Sequence, residues 1–205
     1  MNYFIKTPWW LKKVYPNRIW SIDTNEKNIY LTFDDGPHPV VTTFVLDELA
    51  KYNAKASFFC IGKNVQSFPE IYNRIITEGH RVGNHTQNHL NGWETNNEPF
   101  LADVSEASKY IQSDLFRPPY GRIRSAQVKE LKNYKIVMWD VLSGDFDESL
   151  SKEKCLQNVI RKTSNGSIVV FHDSEKAFQR LKYVLPLVLD FFRDSGYSFK
   201  SIERE

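Results

Sequence analysis

The chain has 205 residues, 41% of them hydrophobic and 14% aromatic, with a formal net charge of +2. That length and apolar share support a folded domain with a sizeable core and exclude a disordered chain. A charge so near zero, with no long basic run, excludes nucleic acid as the organising partner. Cys60 and Cys155 make no Cys-x-x-Cys pattern and no disulfide framework, and Cys60 reads as an inert core thiol. No apolar run is long enough to cross a bilayer.

Residues 1–27 read as an N-terminal arm. Lys6, Pro8, Lys12 and Lys13 interrupt its first half, which lacks the unbroken apolar core of a secretory signal and by itself points to a cytoplasmic chain. The mixture of Trp9, Trp10, Lys12, Lys13, Tyr15 and Arg18 suits a membrane surface or packing against the domain, and packing is the expectation.

From Asn28 onward, strand-like and helix-like stretches alternate. Asn28 to Phe33 is a strand that the Gly36-Pro37 pair stops. Val41, Phe44, Val45 and Leu49 recur at helical spacing, with Pro39 placed to start the helix. Lys55 to Ile61 is β-rich. Ser67 to Glu70 forms a capping box with Pro69 in the first turn, and Ile71, Ile75 and Ile76 make the buried stripe up to Gly79. His80 to Asn84 is a short strand. Thr95 to Glu98 is a second capping box, followed by Leu101, Val104, Ser108 and Ile111 on one helical face. Leu115 to Arg117 is a strand stopped by Pro118-Pro119. Ile123 to Asn133 is helical, Tyr134 to Trp139 a strand, and Ser151 to Thr163 a helix. Ser167 to His172 is the most apolar strand. Leu181 to Asp194 is helical in period despite Pro186, and Tyr197 to Ile202 is the last strand. That makes about seven β/α units over residues 28–205, an α/β fold of one domain with the pattern of a parallel barrel. A doubly wound open sheet is the structural alternative.

Polar residues gather at the strand ends. Asp34 and Asp35 end the first strand, His85 the third, Arg117 the fourth and His172 the sixth, while Asp140 and Asp145 follow the fifth. The C-terminal ends of strands are where β/α barrels build active sites. Adjacent residues of an extended backbone point to opposite sides, so one Asp can bind a metal while the other faces substrate. His85-Thr86-Gln87-Asn88-His89 sets two imidazoles four apart, stacked on one face if the loop turns helically. With a neighbouring Asp they form a two-His, one-carboxylate set able to take Zn²⁺, Fe²⁺, Co²⁺ or Mn²⁺. An oxygenase would use the same set, but the chain shows no β-sandwich pattern.

The motifs Thr32-Phe33-Asp34-Asp35-Gly36-Pro37, His85-Thr86-Gln87-Asn88-His89, Arg117-Pro118-Pro119-Tyr120 and the apolar strand ending at His172 resemble those of polysaccharide deacetylases of the NodB-homology type, carbohydrate esterase family 4. The resemblance covers roughly Ile29 to Ile202 and implies a deformed β/α barrel. It also implies a metal held by Asp35, His85 and His89, with zinc first and Co, Ni, Mn or Fe as alternatives. Asp34 would then be the general base, and Arg117 would pair with it, since a nearby cation favours the charged carboxylate. The Tyr120 N–H would support the oxyanion, and His172 would be the general acid held by Asp145. Phe146, Val170 and Pro119 would line the substrate pocket with Tyr120.

One motif departs from the family pattern, which commonly reads Asp-Ser-x-Asp-Trp. Here the chain has Leu142-Ser143-Gly144-Asp145-Phe146, so Asp145 is kept while Leu142 and Phe146 are changed, and altered substrate fit is expected. The implied activity is N-deacetylation of an acetylated glycan by a monomeric enzyme, and such a substrate points to the cell envelope. An O-acetyl esterase acting on acetylated xylan, or a barrel that binds glycans without turnover, are the alternatives.

Overall fold

In the computed structural model, which describes residues 3–203, the chain begins with α1 (Trp9–Val14), β1 (Asn28–Asp34) and α2 (Val41–Lys51). It continues through β2 (Ser57–Cys60), α3 (Gly62–Ser67), α4 (Pro69–Thr77), β3 (Arg81–Asn84), α5 (Asn97–Ser108) and β4 (Leu115–Phe116). The remainder holds α6 (Ser125–Glu130), β5 (Lys135–Ile136), β6 (Val141–Leu142), α7 (Lys152–Lys162), β7 (Ile168–His172), α8 (Glu175–Asp194) and β8 (Ser198–Phe199). The strands lie side by side in the order β5-β4-β3-β2-β1-β7-β6, and β8 pairs with the start of β1. Every pairing is parallel. The result is the single-domain, deformed β/α barrel expected from the unit count.

Every residue of β1 is buried, as befits a parallel strand covered on both faces. Ile29, Leu31 and Phe33 face the outer layer, packing with side chains of α2, α4, α7 and α8. Tyr30 turns the other way, into an inner cluster with Phe59, Leu115, Val137, Ile168 and Ile202. By the same alternation Thr32 and Asp34 continue that inner row towards the strand's end.

Between β5 and β6 the curl is open, and the N-terminal arm fills the gap. Lys6 pairs with Val141, Ile19 with Val137 and Ser21 with Ser167. Leu142 N–H donates to Ile5 O (2.8 Å), Ile19 N–H to Ile136 O (2.9 Å) and Met138 N–H to Ile19 O (2.7 Å). Edge groups of both strands thereby find partners.

Several local expectations are corrected. Neither capping box forms. Ser67 ends α3 and its hydroxyl donates to Lys63 O, so α4 is entered from another helix, and α5 also starts without a side-chain cap. α4 buries Tyr72 and Ile75 and leaves Ile76 exposed. α5 turns Phe100, Asp103, Val104 and Ala107 inward, because Asp103 has partners beneath it. The run from Tyr134 to Trp139 pairs with β4 only at Lys135 and Ile136, and the chain then crosses to supply β6 on the far side of β7. α6 is shorter than Ile123 to Asn133. α8 starts at Glu175 and runs straight through Pro186. Its buried Leu181, Val184, Leu185, Val188, Leu189 and Phe192 contribute about 1.5–3 kcal/mol each, which outweighs the cost of an interior proline, about 3 kcal/mol.

Candidate active site

Strand register levels the functional residues. Asp34 stands opposite His172 on one side and Phe59 on the other, while Asn84 stands opposite Cys60 and Phe116. The C-terminal ends of β1, β7, β2, β3 and β4 therefore open at one mouth.

Arg117 lies wholly buried beneath that mouth. Its Nη1 donates to Asp34 Oδ1 (2.6 Å) and Thr32 Oγ1 (2.8 Å), its Nε to Val137 O (3.2 Å) and its Nη2 to Met138 O (2.9 Å). The guanidinium carbon sits 4.0 Å over the Phe59 ring. Burial lowers the Arg117 pKa and the Asp34 charge opposes that fall. An arginine with all its nitrogens engaged has no freedom to rotate, so Asp34 is held in one orientation.

The strand ends at Asp34, and Asp35 takes a φ of 83°. This left-handed residue, and not strand alternation, separates the two carboxylates. Gly36 is obligatory beside it, since a Cβ there would lie 2.0 Å from Asp173 Oδ2. The Asp173 carboxylate accepts from Gly36 N–H (2.9 Å) and from the Thr42 hydroxyl, pinning the turn to the end of β7. Burial, with the nearby Asp35 charge, pushes Asp173 up to about 7.

His85 Nδ1 donates to Arg117 O (2.7 Å), which leaves Nε2 directed at Asp35 Oδ1, 3.7 Å away. His89 Nε2 is 3.2 Å from the same oxygen. The two imidazoles meet through a loop, not a helical turn: Thr86 and His89 have φ of 65° and 59°. Asp103 of α5 shapes that loop by accepting from the N–H groups of Gln87 and Asn88 (2.9 Å each) and from Asn88 Nδ2 (2.6 Å).

Ligand atoms of Asp35, His85 and His89 all lie within 4.8 Å of one another. Asp35 Oδ1 is buried without a hydrogen-bond partner, an orphan acceptor aimed at two imidazole nitrogens. Burial takes His85 down to about 4, so it is neutral at pH 7, the form that ligates metals. Burial opposes the charge on Asp35, but the His89, His172 and His85 imidazoles outweigh it and hold the carboxyl below the usual range. This donor set, with a backbone carbonyl behind His85, fits a divalent cation.

On the other side of the mouth, one carboxylate grips His172 twice. Asp145 Oδ2 accepts from His172 N–H (2.8 Å) and Oδ1 lies 2.8 Å from Nδ1, leaving Nε2 free. Burial disfavours the imidazolium, but Asp145 outweighs it and pushes His172 up to about 9. Arg180 of α8 donates to Asp145 O and steadies the loop. The Phe146 ring lies 5.0 Å from the His172 ring and 5.2 Å from that of Tyr3. Val170 is buried two residues below His172 on the same strand face and is in register with Leu142. Buried Pro119 opens a 3₁₀ turn in which Tyr120 has a φ of 60° and its exposed ring meets the His89 ring edge-on at 4.7 Å.

Among the described residues five non-glycines have positive φ, and Asp35, Thr86, His89 and Tyr120 are four of them. Backbone in sparsely populated conformations gathers at sites whose surroundings over-determine it. Asp140 does not join the site. It sits level with the start of β7, where Ser167, Lys6 and Lys12 donate to its carboxylate. Sequence reasoning missed Asp103, Asp173, Thr32 and Phe59. Only Asp173, directly after His172 at a strand end, carried a signal that could have found it.

A barrel mouth of this kind places the chain in the class of polysaccharide-deacetylase-type β/α barrels. The profile of that family, described as Polysaccharide deacetylase, matches residues 21–139, and the chain belongs to the family. It is 35% identical over 191 residues to a peptidoglycan-N-acetylglucosamine deacetylase of Bacillus cereus, covering 89% of this chain and 90% of that one. A chitooligosaccharide deacetylase of Azorhizobium caulinodans is 34% identical over 162 residues, covering 74% and 76%. Among solved structures, the Bc1960 peptidoglycan N-acetylglucosamine deacetylase superposes with a TM-score of 0.84 at 30% identity, covering 96% of this chain and 95% of that one.

Proposed function

We propose that this protein is a metal-dependent N-deacetylase that releases acetate from a glycan containing N-acetylglucosamine, either peptidoglycan or a chitin-like oligomer. The observation that carries the reading is the pairing of Asp34 with His172 in strand register, each gripped by a partner of opposite charge, beside the Asp35, His85 and His89 donor set. The activities for which the relatives are named support a glycan amide as substrate.

A divalent cation on Asp35, His85 and His89, with zinc first and Co, Ni, Mn or Fe as alternatives, would lower the pKa of a water from 15.7 to about 7 and polarise the amide carbonyl. Asp34, oriented by Arg117, takes a proton from the attacking water. The Tyr120 N–H lies in the first turn of a 3₁₀ segment, where amides lack a partner within the helix, and it supports the oxyanion. His172 Nε2 gives its proton to the departing sugar nitrogen, and Asp145 stabilises the imidazolium before that transfer. One water is consumed, and acetate and a free amine are formed. Phe146, Val170 and Pro119 bound the acetyl methyl, with Leu142 beside Val170 in register altering the fit.

The test is acetate release from chitooligosaccharides, peptidoglycan fragments and acetylated xylan, by chelated protein and after return of each divalent metal. Release from an N-acetylated glycan that chelation abolishes and zinc restores is expected. No release from any of them by metal-replete protein would sink the proposal. Release from acetylated xylan alone would replace it with an O-acetyl esterase.

A further inference from the structure

The arm that seals the barrel also carries an apolar face with nothing over it. Eleven large hydrophobic side chains are exposed among the described residues, and five of them fall within residues 4–15. Phe4 is 57% exposed, Trp9 70%, Trp10 48%, Val14 59% and Tyr15 37%. They are held outward and do not dangle. Leu11 packs on the cluster that includes Trp20 and Phe100, and Trp20 Nε1 donates to Tyr15 O (3.1 Å). Lys6 and Lys12 are tied to the buried Asp140. The Phe4 and Trp10 rings meet edge to face at 6.5 Å, which joins Phe4 to the face of α1. Such a patch on a soluble surface marks an interaction site.

Charge says what kind. No carboxylate side chain occurs between residues 3 and 22, whereas Lys6, Lys12, Lys13 and Arg18 are all cationic. Asp140 takes up the first two. Lys13 Nζ lies 5.0 Å over the Trp9 ring and the Arg18 guanidinium 4.0 Å over that of Tyr15, so these two cations rim the apolar face. Aromatic side chains beside basic ones suit the headgroup boundary of a bilayer. Among the described residues no helix is long and apolar enough to cross a membrane, so attachment would be peripheral.

We propose that α1 and its flanks dock on a bilayer containing anionic phospholipid. Phe4, Trp9, Trp10 and Val14 enter the boundary between headgroups and acyl chains, and Lys13 and Arg18 meet the phosphates. Because Lys12 anchors α1 to Asp140, level with the start of β7, α1 lies towards the end of the barrel opposite the site.

The test is flotation of the full chain with vesicles of phosphatidylcholine alone and with vesicles containing one-third phosphatidylglycerol, read also by tryptophan emission. The protein is expected to float with the anionic vesicles, with a blue-shifted spectrum. Trp9→Ala with Trp10→Ala should abolish flotation without lowering the melting temperature, and Lys13→Glu should weaken it by roughly tenfold or more. Three results would overturn the proposal. One is a wild-type chain that stays behind in both mixtures, or floats equally in both. Another is a double variant that floats like wild type. The third is a wild-type dimer in light scattering that the double variant converts to monomer, which would make the face a contact between copies.

Discussion

At Asp34 the nearest partner is a buried guanidinium 2.6 Å away, and at Asp35 it is the His89 imidazole at 3.2 Å. Two carboxylates adjacent in sequence therefore lose different things on neutralisation. Asp35→Asn should weaken zinc binding. Asp34→Asn should keep the metal while acetate release falls by about 10²–10⁴-fold. Metal content after dialysis and a rate assay separate the two, and equal metal loss in both variants would require the roles to be redrawn. Across the mouth, His172 is pushed up to about 9 against burial, with Asp145 as the main cause of the rise. An acid must be protonated to act, so activity should fall as pH rises through that value. A cation on Asp35 offsets part of the negative charge that raises His172, which puts the alkaline limb at or below about 9. Asp145→Asn removes the largest charge that raises His172, so the limb should move to lower pH. A limb that stays put would remove His172 from the acid's role.

At the level of elements, the strands present residues and the loops aim them. β3 delivers His85 to the mouth, but His89 reaches Asp35 only because Thr86 and His89 adopt left-handed backbone and Asp103 collects the loop's N–H groups. Asp103→Ala should cost about 10–100-fold in zinc affinity while leaving the fold intact, as losses behind metal ligands do. Calorimetric titration of the chelated variant would show it. Sequence pattern was a good guide to which stretches are helix or strand and a poor one to helix starts. Ser67 has the residue type of a cap but is itself the last residue of α3. Asp103 carries no local signal, because nothing in the spacing shows that two amides lie beneath it.

For the molecule as a whole, a curled sheet with two unpaired edges is made whole by its own N-terminal arm. Lys6 and Lys12 fix that arm to Asp140, whose side chain is nearly inaccessible. Replacing both lysines by alanine leaves a buried carboxylate uncompensated. Breaking such a contact costs about 3–5 kcal/mol, and the partial exposure of Lys6 places the loss near the lower figure. Urea denaturation should show the midpoint fall, and an unchanged midpoint would mean that the arm does not contribute to closure.

The sequence by itself determined the alternation of strand and helix, and with it a parallel α/β fold, while barrel and open sheet were told apart only by the strand order. It also placed Asp34, Asp35, His85, His89, Arg117, Asp145 and His172 near strand ends, because periodicity and Gly-Pro punctuation are local properties that survive without a fold. Only the tertiary structure decided that Asp140 belongs to the arm and not to the site. It likewise decided that Arg117 fills the barrel interior over Phe59, and that Asp103 and Asp173 brace the two turns carrying the donor set. Those outcomes depend on strand register and on contacts between residues far apart in the chain, which no local spacing encodes.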